Sequence, residues 1–245
     1  MKKIISYSLY GKNPLYTFGA IENSKQIVNI YPEWTARFYC GNDVPIEILH
    51  DLEKNKAEII SIHGPNDNRS KFWRFYALED PEISHVIMRD TDSRLTHREA
   101  AAVQEWLQSD LPGHIMRDHP YHTMPIMAGM WGCTGKLFPH IKEKIETFSP
   151  INKYDQDQTF LLKYIYPELI KRGCMIHDEW YCYESNAKPF PTPRNNFEFV
   201  GEVILPDGRR DEAWRVIKKA TQNPWEKIKI LYRKYKYKIA LMNIK

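Results

Sequence analysis

The sequence predicts an α/β fold in which a mostly parallel central sheet is flanked by helices and followed by a C-terminal helical tail. Short apolar runs, typical of buried strands, alternate with helical patterns through the first half of the chain, an order that favours βαβ units. The alternation ends after Tyr181, where a Pro-rich stretch over residues 188–194 leads into a basic helical pattern from Asp211. We therefore expect one domain over residues 1–182, and a Pro-rich connection with a basic helical appendage over residues 183–245.

The first half of the chain predicts strands and helices in turn. A short apolar run that is closed by a polar turn is typical of a buried strand. On this basis four strands are expected, at residues 4–9, 35–40, 57–62 and 85–89. The first helix is expected to begin at Pro14, because Asn13 is a good N-cap and proline a good first helical residue. Three more helices are expected, at residues 45–54, 70–79 and 98–109.

The second half continues the pattern less regularly. Further strands are expected at residues 113–117, 128–133 and 174–177, and further helices at residues 137–148 and 156–172. Gly173 occupies the position that ends the last of these helices. Two glycines, Gly129 and Gly132, lie within the apolar run 128–133, which indicates a close approach of the backbone to a ligand or to another segment.

The composition is that of an ordinary globular protein, with 42% apolar and 27% charged residues. The net charge of +4 does not by itself indicate nucleic acid as a partner, and no nucleic-acid motif accompanies it. The four cysteines lack C-x-x-C spacing, which favours a reducing compartment. The N-terminus lacks the apolar core of a signal peptide, and no stretch reaches the length of a membrane span. The sequence predicts a cytoplasmic protein.

The most informative motif is the pair Asp90 and Asp92, which follows the apolar run 86–88 directly. In an open α/β sheet, ligands bind at the carboxyl ends of the strands. Two carboxylates at such an end can hold a hard cation such as Mg²⁺ or Mn²⁺. Arg89 and Arg94 flank the pair and can contact the phosphates that such a cation carries. A solvated turn is the alternative interpretation.

Other polar clusters follow predicted strands or open predicted helices. Lys71 and Arg74 are three residues apart, so a helix places them on one face. The turn 117–122 combines Asp118, His119 and His122, and its polar density favours contacts with a substrate; a zinc site there has weak support. Carboxylates at 155 and 157 open a predicted helix, a position that N-capping and the helix dipole also favour.

Four motifs together resemble GT-A glycosyltransferases, of the kind that bacteria use on nucleotide sugars to build lipopolysaccharide or capsule. They are SKFWRF at 70–75, RDTDSR at 89–94, AGMWG at 128–132 and YDQDQTFL at 154–161. The resemblance covers roughly residues 1–182. It implies a GT-A-like (Rossmann-like) fold, a hexosyltransferase activity, a Mn²⁺ or Mg²⁺ cofactor, a nucleoside-diphosphate sugar as donor and a cell-surface glycan or glycolipid as acceptor.

The resemblance also implies roles for individual residues. The metal ligands would be Asp90, Asp92 and His177, because these enzymes commonly add a histidine from near the end of the fold. The residues that contact the donor would be Tyr7, Lys71, Arg74, Arg89, Asp90, Arg94 and Gly129. The catalytic carboxylates would be Asp155 and Asp157, near the transferred sugar. Separately from the resemblance, the polar density of the turn 117–122 leads us to expect that Asp118, His119 and His122 contact the acceptor or the donor sugar, and Trp131 is a further expected acceptor contact.

Some alternatives stay open at this level. An inverting enzyme needs a carboxylate base, for which Asp178 and Glu179 also qualify, whereas a retaining enzyme could use the leaving phosphate itself. A sugar nucleotidyltransferase or a metal-dependent phosphohydrolase also uses strand-end carboxylates. The former usually has a Gly-rich loop after its first strand, and residues 7–12 contain a single glycine. A non-catalytic carbohydrate-binding relative is a third possibility.

The tail, residues 225–245, interleaves lysines with aromatic and aliphatic residues. A basic amphipathic helix of this kind can lie on an anionic membrane surface, which would place the protein on the inner face of the cytoplasmic membrane. A helix that packs on the domain with a basic solvent face is the alternative.

Overall fold

A computed structural model describes residues 1–64, 66–148 and 155–242. Within them a seven-stranded sheet has the order β3-β2-β1-β4-β6-β5-β7. All neighbouring strands are parallel except β6, which runs antiparallel to both β4 and β5. The strands are β1 (Lys2–Leu9), β2 (Thr35–Gly41), β3 (Glu58–Ile62), β4 (Ile83–Met88), β5 (Gly113–Arg117), β6 (Trp131–Thr134) and β7 (Cys174–Asp178).

Helices cover both faces of this sheet. The α-helices are α1 (Pro14–Ile30), α2 (Ile46–Lys54), α3 (His97–Leu107), α4 (Ile141–Phe148), α5 (Gln156–Phe160), α6 (Tyr166–Arg172), α7 (Trp214–Gln222) and α8 (Pro224–Met242). A 3₁₀ helix spans Asn68–Glu79, and a π-helical turn at Leu161–Ile165 joins α5 to α6. The predicted α/β architecture, with its mostly parallel sheet and helical tail, is confirmed.

Two apolar layers hold the helices on the sheet. Helices α1, α2 and α3 pack on one face, with Tyr7, Phe38 and Trp106 among the buried side chains. The 3₁₀ helix, α4, α5 and α6 pack on the other face, where Phe75 and Trp131 are buried. Because successive side chains of a strand point to opposite faces, β1 contributes Ile5, Tyr7 and Leu9 to the first layer only.

The 3₁₀ helix differs from the predicted helix in where and how it begins. The helix begins at Asn68 rather than at residue 70, and Asp67 is its N-cap: the Asp67 carboxylate accepts from Arg69 N at 2.8 Å, and the Ser70 hydroxyl accepts from Asp67 N at 3.2 Å. This reciprocal pair is a capping box. A 3₁₀ helix has three residues per turn, so Lys71 and Arg74 are aligned on one face as the sequence spacing predicted.

Other predicted boundaries differ for identifiable reasons. The predicted strand 128–133 begins only at Trp131, and residues 126–130 before it form a loop. The predicted tail is two helices rather than one: Pro224 lacks the amide hydrogen that a continuing helix requires, and α8 begins there. Two predicted segments extend beyond the described residues: Tyr154 lies outside them, and so do the last three residues of the tail, 243–245.

The segment that follows residue 182 is bonded to the sheet and to the loop after β4. Lys188 N donates to Ile176 O in β7 at 3.0 Å, and Ile204 N donates to Asp92 O at 2.9 Å. Val203 also forms an antiparallel bridge with Ser93. The predicted boundary at residue 182 therefore does not coincide with a break in packing. Within the described part of the chain, no helix has the length and apolarity that crossing a bilayer requires.

Candidate active site

A pocket of about 260 Å³ opens where β1 and β4 end side by side. Its acidic lining residues are Asp90, Asp92, Asp155 and Asp157, and its basic ones are Lys71 and Arg74. The pocket is completed by Ser8, Tyr10, Tyr16, Thr91, Ala128 and Gln158. The structure therefore brings together six of the predicted site residues, from three separate motifs of the sequence.

Arg74 links the two acidic segments of the pocket. Its guanidinium donates to the Asp90 carboxylate and, at 3.2 Å, to Asp157 Oδ2, and it also donates to Arg89 O at 3.3 Å. The side chain is almost fully buried. Burial alone would lower the pKa of Arg74, but the charges of Asp90 and Asp157 raise it. Arg74 therefore stays charged and fixes the separation of the two carboxylates.

Two serines of β1 hold the backbone of the 3₁₀ helix around Arg74. Ser6 Oγ donates to Arg74 O at 2.7 Å, and Ser8 Oγ accepts from Arg74 N at 2.9 Å. Ser8 Oγ is also 3.2 Å from Lys71 O, to which it donates. Because buried backbone groups need hydrogen-bond partners, the alternation of Ser6 and Ser8 with apolar residues in β1 positions this helix at the pocket.

The loop that carries Asp90 and Asp92 is held from two sides. From α1, Asn23 Nδ2 donates to Ser93 O at 2.8 Å, and Asn23 Oδ1 accepts from Leu95 N at 3.3 Å. From the C-terminal segment, Ile204 N bonds to Asp92 O. Gly19 of α1 allows the close approach, since a Cβ there would lie 1.9 Å from Thr91 O. Hydrogen bonds from both sides therefore hold the backbone that carries the two aspartates.

Gly129 explains how the Asp90 carboxylate reaches its position. A Cβ at residue 129 would lie 2.0 Å from Asp90 Oδ2, a distance that real Cβ atoms do not adopt, and 3.0 Å from Asp90 N, which is a tight contact. The close approach predicted from the sequence is therefore an approach to the carboxylate itself. Half of the Asp90 side chain remains exposed, at 48%, so the carboxylate still faces the pocket.

We expect Gly129→Ala to move the Asp90 carboxylate away from Arg74. The overpacking should lower the free energy of unfolding by about 1–3 kcal/mol, and the affinity of the pocket for Mn²⁺ alone should fall about tenfold. Calorimetry and chemical denaturation measure the two effects. Gly64→Ala is the matched control, because the nearest atom to its Cβ is 3.9 Å away. Equal ligand affinity in both variants would contradict this role for Gly129.

Asp92 is a carboxylate that forms no ion pair with a Lys, Arg or His side chain of the described residues. It lies mostly buried beside Asp90. Burial, and then the charge of Asp90, raise the pKa of Asp92 to about 6, while Arg74 and Arg94 oppose this shift. A partly buried carboxylate of this kind is stabilised by a bound cation.

The donor set of the pocket fits a hard divalent cation. Asp90 and Asp92 offer carboxylate oxygens, the ligands that Mg²⁺ and Mn²⁺ prefer. Among the described residues no group of three or more His, Cys, Asp or Glu side chains is arranged as a complete metal site. Mg²⁺ is usually bound by one or two carboxylates, with substrate phosphates supplying further oxygens, and the pair matches that pattern.

The acidic pair at the start of α5 lines the opposite wall. Asp157 is buried and bonded to Arg74, whereas Asp155 is exposed and has a left-handed backbone, with φ of 60°. Left-handed non-glycine residues are uncommon and concentrate at functional sites. The π-helical turn that follows α5 is a feature often found next to such sites.

Two residues predicted to contact the donor lie beneath the pocket instead. Tyr7 is fully buried and stacks on Phe38, with ring centroids 4.7 Å apart. Arg89 is also buried, and donates to Glu99 Oε1 at 2.9 Å and to Gly129 O at 3.2 Å. This corrects both predictions: Tyr7 points to the face of β1 that packs on α1, and Arg89 is bound to a core carboxylate.

Two further residues lie away from the pocket. Arg94 donates to Thr91 O and Ser93 O and lines a separate cleft between α1 and the C-terminal segment. Trp131, predicted to contact the acceptor, is fully buried against Phe75 and Phe138. Arg94 therefore supports the backbone of the aspartate loop, and Trp131 is a core residue.

The turn after β5 is buried by the C-terminal segment, so it does not face the pocket. Asp118 is inaccessible and accepts from Arg98, Arg194 and Val200 N. His119 pairs with Ala213 O at 2.9 Å, and His122 Nδ1 accepts from two backbone amides of its own turn. The acceptor contacts predicted for Asp118, His119 and His122 are replaced by a structural role, which is to fasten the C-terminal segment.

His177, the predicted third metal ligand, has no nitrogen left for a metal. Its Nδ1 is 2.9 Å from His114 Nε2, and its Nε2 is 2.9 Å from Glu105 Oε2. The residues that follow it are also engaged: Asp178 accepts from Arg117, and Glu179 accepts from Arg98. We therefore leave His177 out of the metal site, and Asp178 and Glu179 out of the candidate bases.

Six residues that line the pocket are not among the predicted site residues: Ser8, Tyr10, Tyr16, Thr91, Ala128 and Gln158. One signal was available for Ser8, because a polar residue that alternates with apolar ones at the end of β1 points to the face opposite Tyr7. No local pattern indicates Tyr16 or Gln158, since each reaches the pocket through the packing of its helix.

Comparisons with known proteins give weak similarities. No family model and no curated protein matches the chain. Among solved structures, a glycosyltransferase involved in the glycosylation of the major capsid of PBCV-1 is 15% identical with a TM-score of 0.48, over 76% of this chain and 84% of that one.

Two further solved structures are similar at the same level. The 4-diphosphocytidyl-2C-methyl-D-erythritol synthase from Anaerococcus prevotii DSM 20548 is 15% identical with a TM-score of 0.45, and the match covers 78% of this chain and 93% of that one. The glucosyl-3-phosphoglycerate synthase of Mycobacterium tuberculosis is 10% identical with a TM-score of 0.44, and the match covers 71% of this chain and 70% of that one. Because one fold hosts many activities, these similarities transfer none to this chain.

Proposed function

We propose that the protein is a metal-dependent GT-A-like glycosyltransferase of the hexosyltransferase type. It would transfer a sugar from a nucleoside-diphosphate donor to a hydroxyl group of a cell-surface glycan, such as lipopolysaccharide or capsule. The observation that carries the proposal is the pocket at the ends of β1 and β4, which Asp90 and Asp92 line together with Lys71 and Arg74. The cytoplasmic location stays a prediction, which rests on the absence of C-x-x-C spacing among the four cysteines.

Opposite charges at one site suit a ligand that combines a cation with phosphate groups. Asp90 and Asp92 would hold Mn²⁺ or Mg²⁺, and the bound ion would neutralise the charge that develops on the departing diphosphate. Lys71 lines the same pocket and would donate to the diphosphate oxygens. Tyr10 and Tyr16 would pack against the nucleoside, since aromatic rings offer flat apolar surfaces with a polar edge.

The two carboxylates of α5 would have different tasks. Asp157 is engaged by Arg74, so its task is to keep that guanidinium directed at Asp90. Asp155 forms no ion pair with any described residue and is exposed at the pocket. In an inverting reaction Asp155 would take the proton from the acceptor hydroxyl. In a retaining reaction it would orient that hydroxyl or the donor sugar.

The test is a thermal-shift screen of UDP-, GDP-, CMP- and dTDP-sugars, each with Mn²⁺ and with EDTA. A ligand that binds only the folded state raises the unfolding temperature; at a hundredfold excess over its Kd it adds about 2.7 kcal/mol. We expect one nucleotide class to stabilise the protein, and only when Mn²⁺ is present. A shift with every nucleotide in EDTA would contradict a metal-dependent donor site.

A second measurement separates sugar transfer from the competing activities. The stabilising sugar nucleotide is incubated with the enzyme and a mixture of glycan acceptors, and the products are identified by mass spectrometry. A lengthened glycan with release of the nucleoside diphosphate is the expected result. In a parallel incubation with a nucleoside triphosphate and a sugar phosphate, formation of the sugar nucleotide with release of pyrophosphate would instead indicate a nucleotidyltransferase.

A further inference from the structure

Among the described side chains of α8, Ile230 is the one that packs in an apolar cluster with the domain. Ile230 is buried and packs with Tyr181 and Ala220, which belong to the turn after β7 and to α7. This contact fixes the rotation of α8 about its own axis, so the opposite side of the helix faces away from the domain.

That opposite side carries a row of large apolar residues, Trp225, Ile228, Tyr232 and Tyr235, that solvent covers. They are 72%, 52%, 72% and 66% exposed, respectively. At about 100° per residue, their spacing of three, four and three places all four within an arc of about 80°. Ile230 falls on the far side of the helix from this arc. We call these four residues the aromatic row.

The charge around the aromatic row is strongly basic. Residues 214–245 contain ten Lys and Arg residues and one Glu, whereas residues 1–213 contain 25 basic and 30 acidic residues. The net charges are therefore +9 for residues 214–245 and −5 for residues 1–213, so the net positive charge of the protein comes from the C-terminal segment 214–245. Lys227, Lys229 and Arg233 are exposed on α8 itself.

We infer that the aromatic row of α8 docks on an anionic lipid surface. Trp and Tyr rings are favoured at the boundary between headgroups and acyl chains, and a helix with a basic polar face lies flat in that boundary. Basic residues near an anionic leaflet each add attraction that falls off within a Debye length. The acidic remainder of the protein is repelled by the same surface, so the tail determines the contact.

The main competing occupant is a second copy of α8, because spacing of three and four also suits paired helices. Pairing along the aromatic row would bring together two copies of the segment 214–245, each with a net charge of +9, at the cost of electrostatic repulsion. An anionic surface removes that repulsion and covers the same apolar area. Charge complementarity therefore favours lipid over a second copy.

The experiment measures flotation of the full-length protein with vesicles of phosphatidylcholine, with and without phosphatidylglycerol. Binding is expected only to the vesicles that contain phosphatidylglycerol, and it should weaken as salt is added. Replacing the exposed rings together, as Trp225→Ala, Tyr232→Ala and Tyr235→Ala, should lower the partition coefficient at least tenfold. Lys227→Gln with Arg233→Gln should lower it about tenfold or more.

Matched controls make the result specific to α8. Val28→Ala, Ile46→Ala and Tyr121→Ala remove exposed apolar surface elsewhere, and Lys56→Gln with Lys171→Gln removes two exposed charges elsewhere. The control variants should float like the wild type. Equal flotation of all variants, or no flotation with either vesicle, would overturn the inference. So would a dimer in light scattering that the triple alanine variant abolishes.

The inference stands apart from the proposed reaction. All variants in this experiment lie outside the pocket of Asp90 and Asp92, so each should keep the wild-type thermal shift with a sugar nucleotide and Mn²⁺. Lost flotation with a retained nucleotide response supports lipid docking. If no sugar nucleotide stabilised the wild type, that result would count against the proposed sugar transfer and would leave lipid docking unaffected.

Discussion

Asp92→Asn is expected to abolish sugar transfer and, in the absence of metal, to make the protein more stable. The carboxylate is a proposed metal ligand, so its loss should lower turnover by about a thousandfold. The same carboxylate is costly for the fold, because burial and Asp90 raise its pKa from 3.8 to about 6. Removing its charge at pH 7.5 should raise the free energy of unfolding by about 1–2 kcal/mol.

The pH dependence of this gain has a definite sign. A carboxyl group whose pKa is higher in the folded than in the unfolded state destabilises the fold once the group is ionised. As the pH falls from above 6 towards 4, folded wild type takes up the proton first, and its stability approaches that of Asp92→Asn. Urea denaturation in EDTA at a series of pH values measures the convergence.

The control for Asp92 is Asp110→Asn, which removes an exposed carboxylate from the surface. Its stability and turnover should match the wild type within error. Full turnover by Asp92→Asn in the presence of EDTA would eliminate the metal-dependent mechanism. A loss of stability at pH 7.5 would contradict the assigned cost of the buried carboxylate.

Arg74→Met is expected to produce the second large effect, and in the opposite direction for stability. The guanidinium lies between Asp90 and Asp157 in a buried setting. Its removal leaves Asp157 buried without a counter-charge, which should cost about 3 kcal/mol and lower the unfolding temperature by about 6–12 °C. Donor binding should also be lost, because Asp90 would no longer be held at the pocket.

A double variant distinguishes these two consequences. In Arg74→Met combined with Asp157→Asn the uncompensated charge is absent, so most of the stability should return. Nucleotide binding should stay lost, since Asp90 still lacks its partner. Arg69→Met is the matched control, because it breaks a partly exposed pair with Asp67 in the same helix and should cost at most about 1 kcal/mol. Undiminished nucleotide binding by Arg74→Met would refute the positioning role.

The sequence was informative wherever a local pattern determines the structure. The alternation of strands and helices, the start of α1 at Pro14 and the end of α6 before Gly173 follow from turn and capping preferences. The pocket residues Asp90, Asp92 and Arg74 were found because strand ends and helical spacing are local features. Their meeting in one pocket follows from the parallel sheet.

The mistaken assignments share a physical cause, which is long-range packing. Asp118 and His119 are polar residues in a turn, a pattern that predicts exposure, but residues 194–213 fold back over them. His177 likewise becomes engaged by His114 and Glu105, which are 63 and 72 residues away in the chain. The local pattern of apolar and polar residues carries no information about partners that are distant in the chain. It therefore predicts that these polar side chains are more exposed than they are in the structure.

The bond from Ile204 to Asp92 has a consequence for engineering. The C-terminal segment touches the aspartate loop at Ser93 and the β5 turn at Asp118, so it cannot be exchanged as a cassette. A chimaera joined at residue 182 would set a foreign segment against both the aspartate loop and Asp118. A crossover placed at Asn223, where one helix ends and the next begins, would leave both contacts native and graft only the terminal helix.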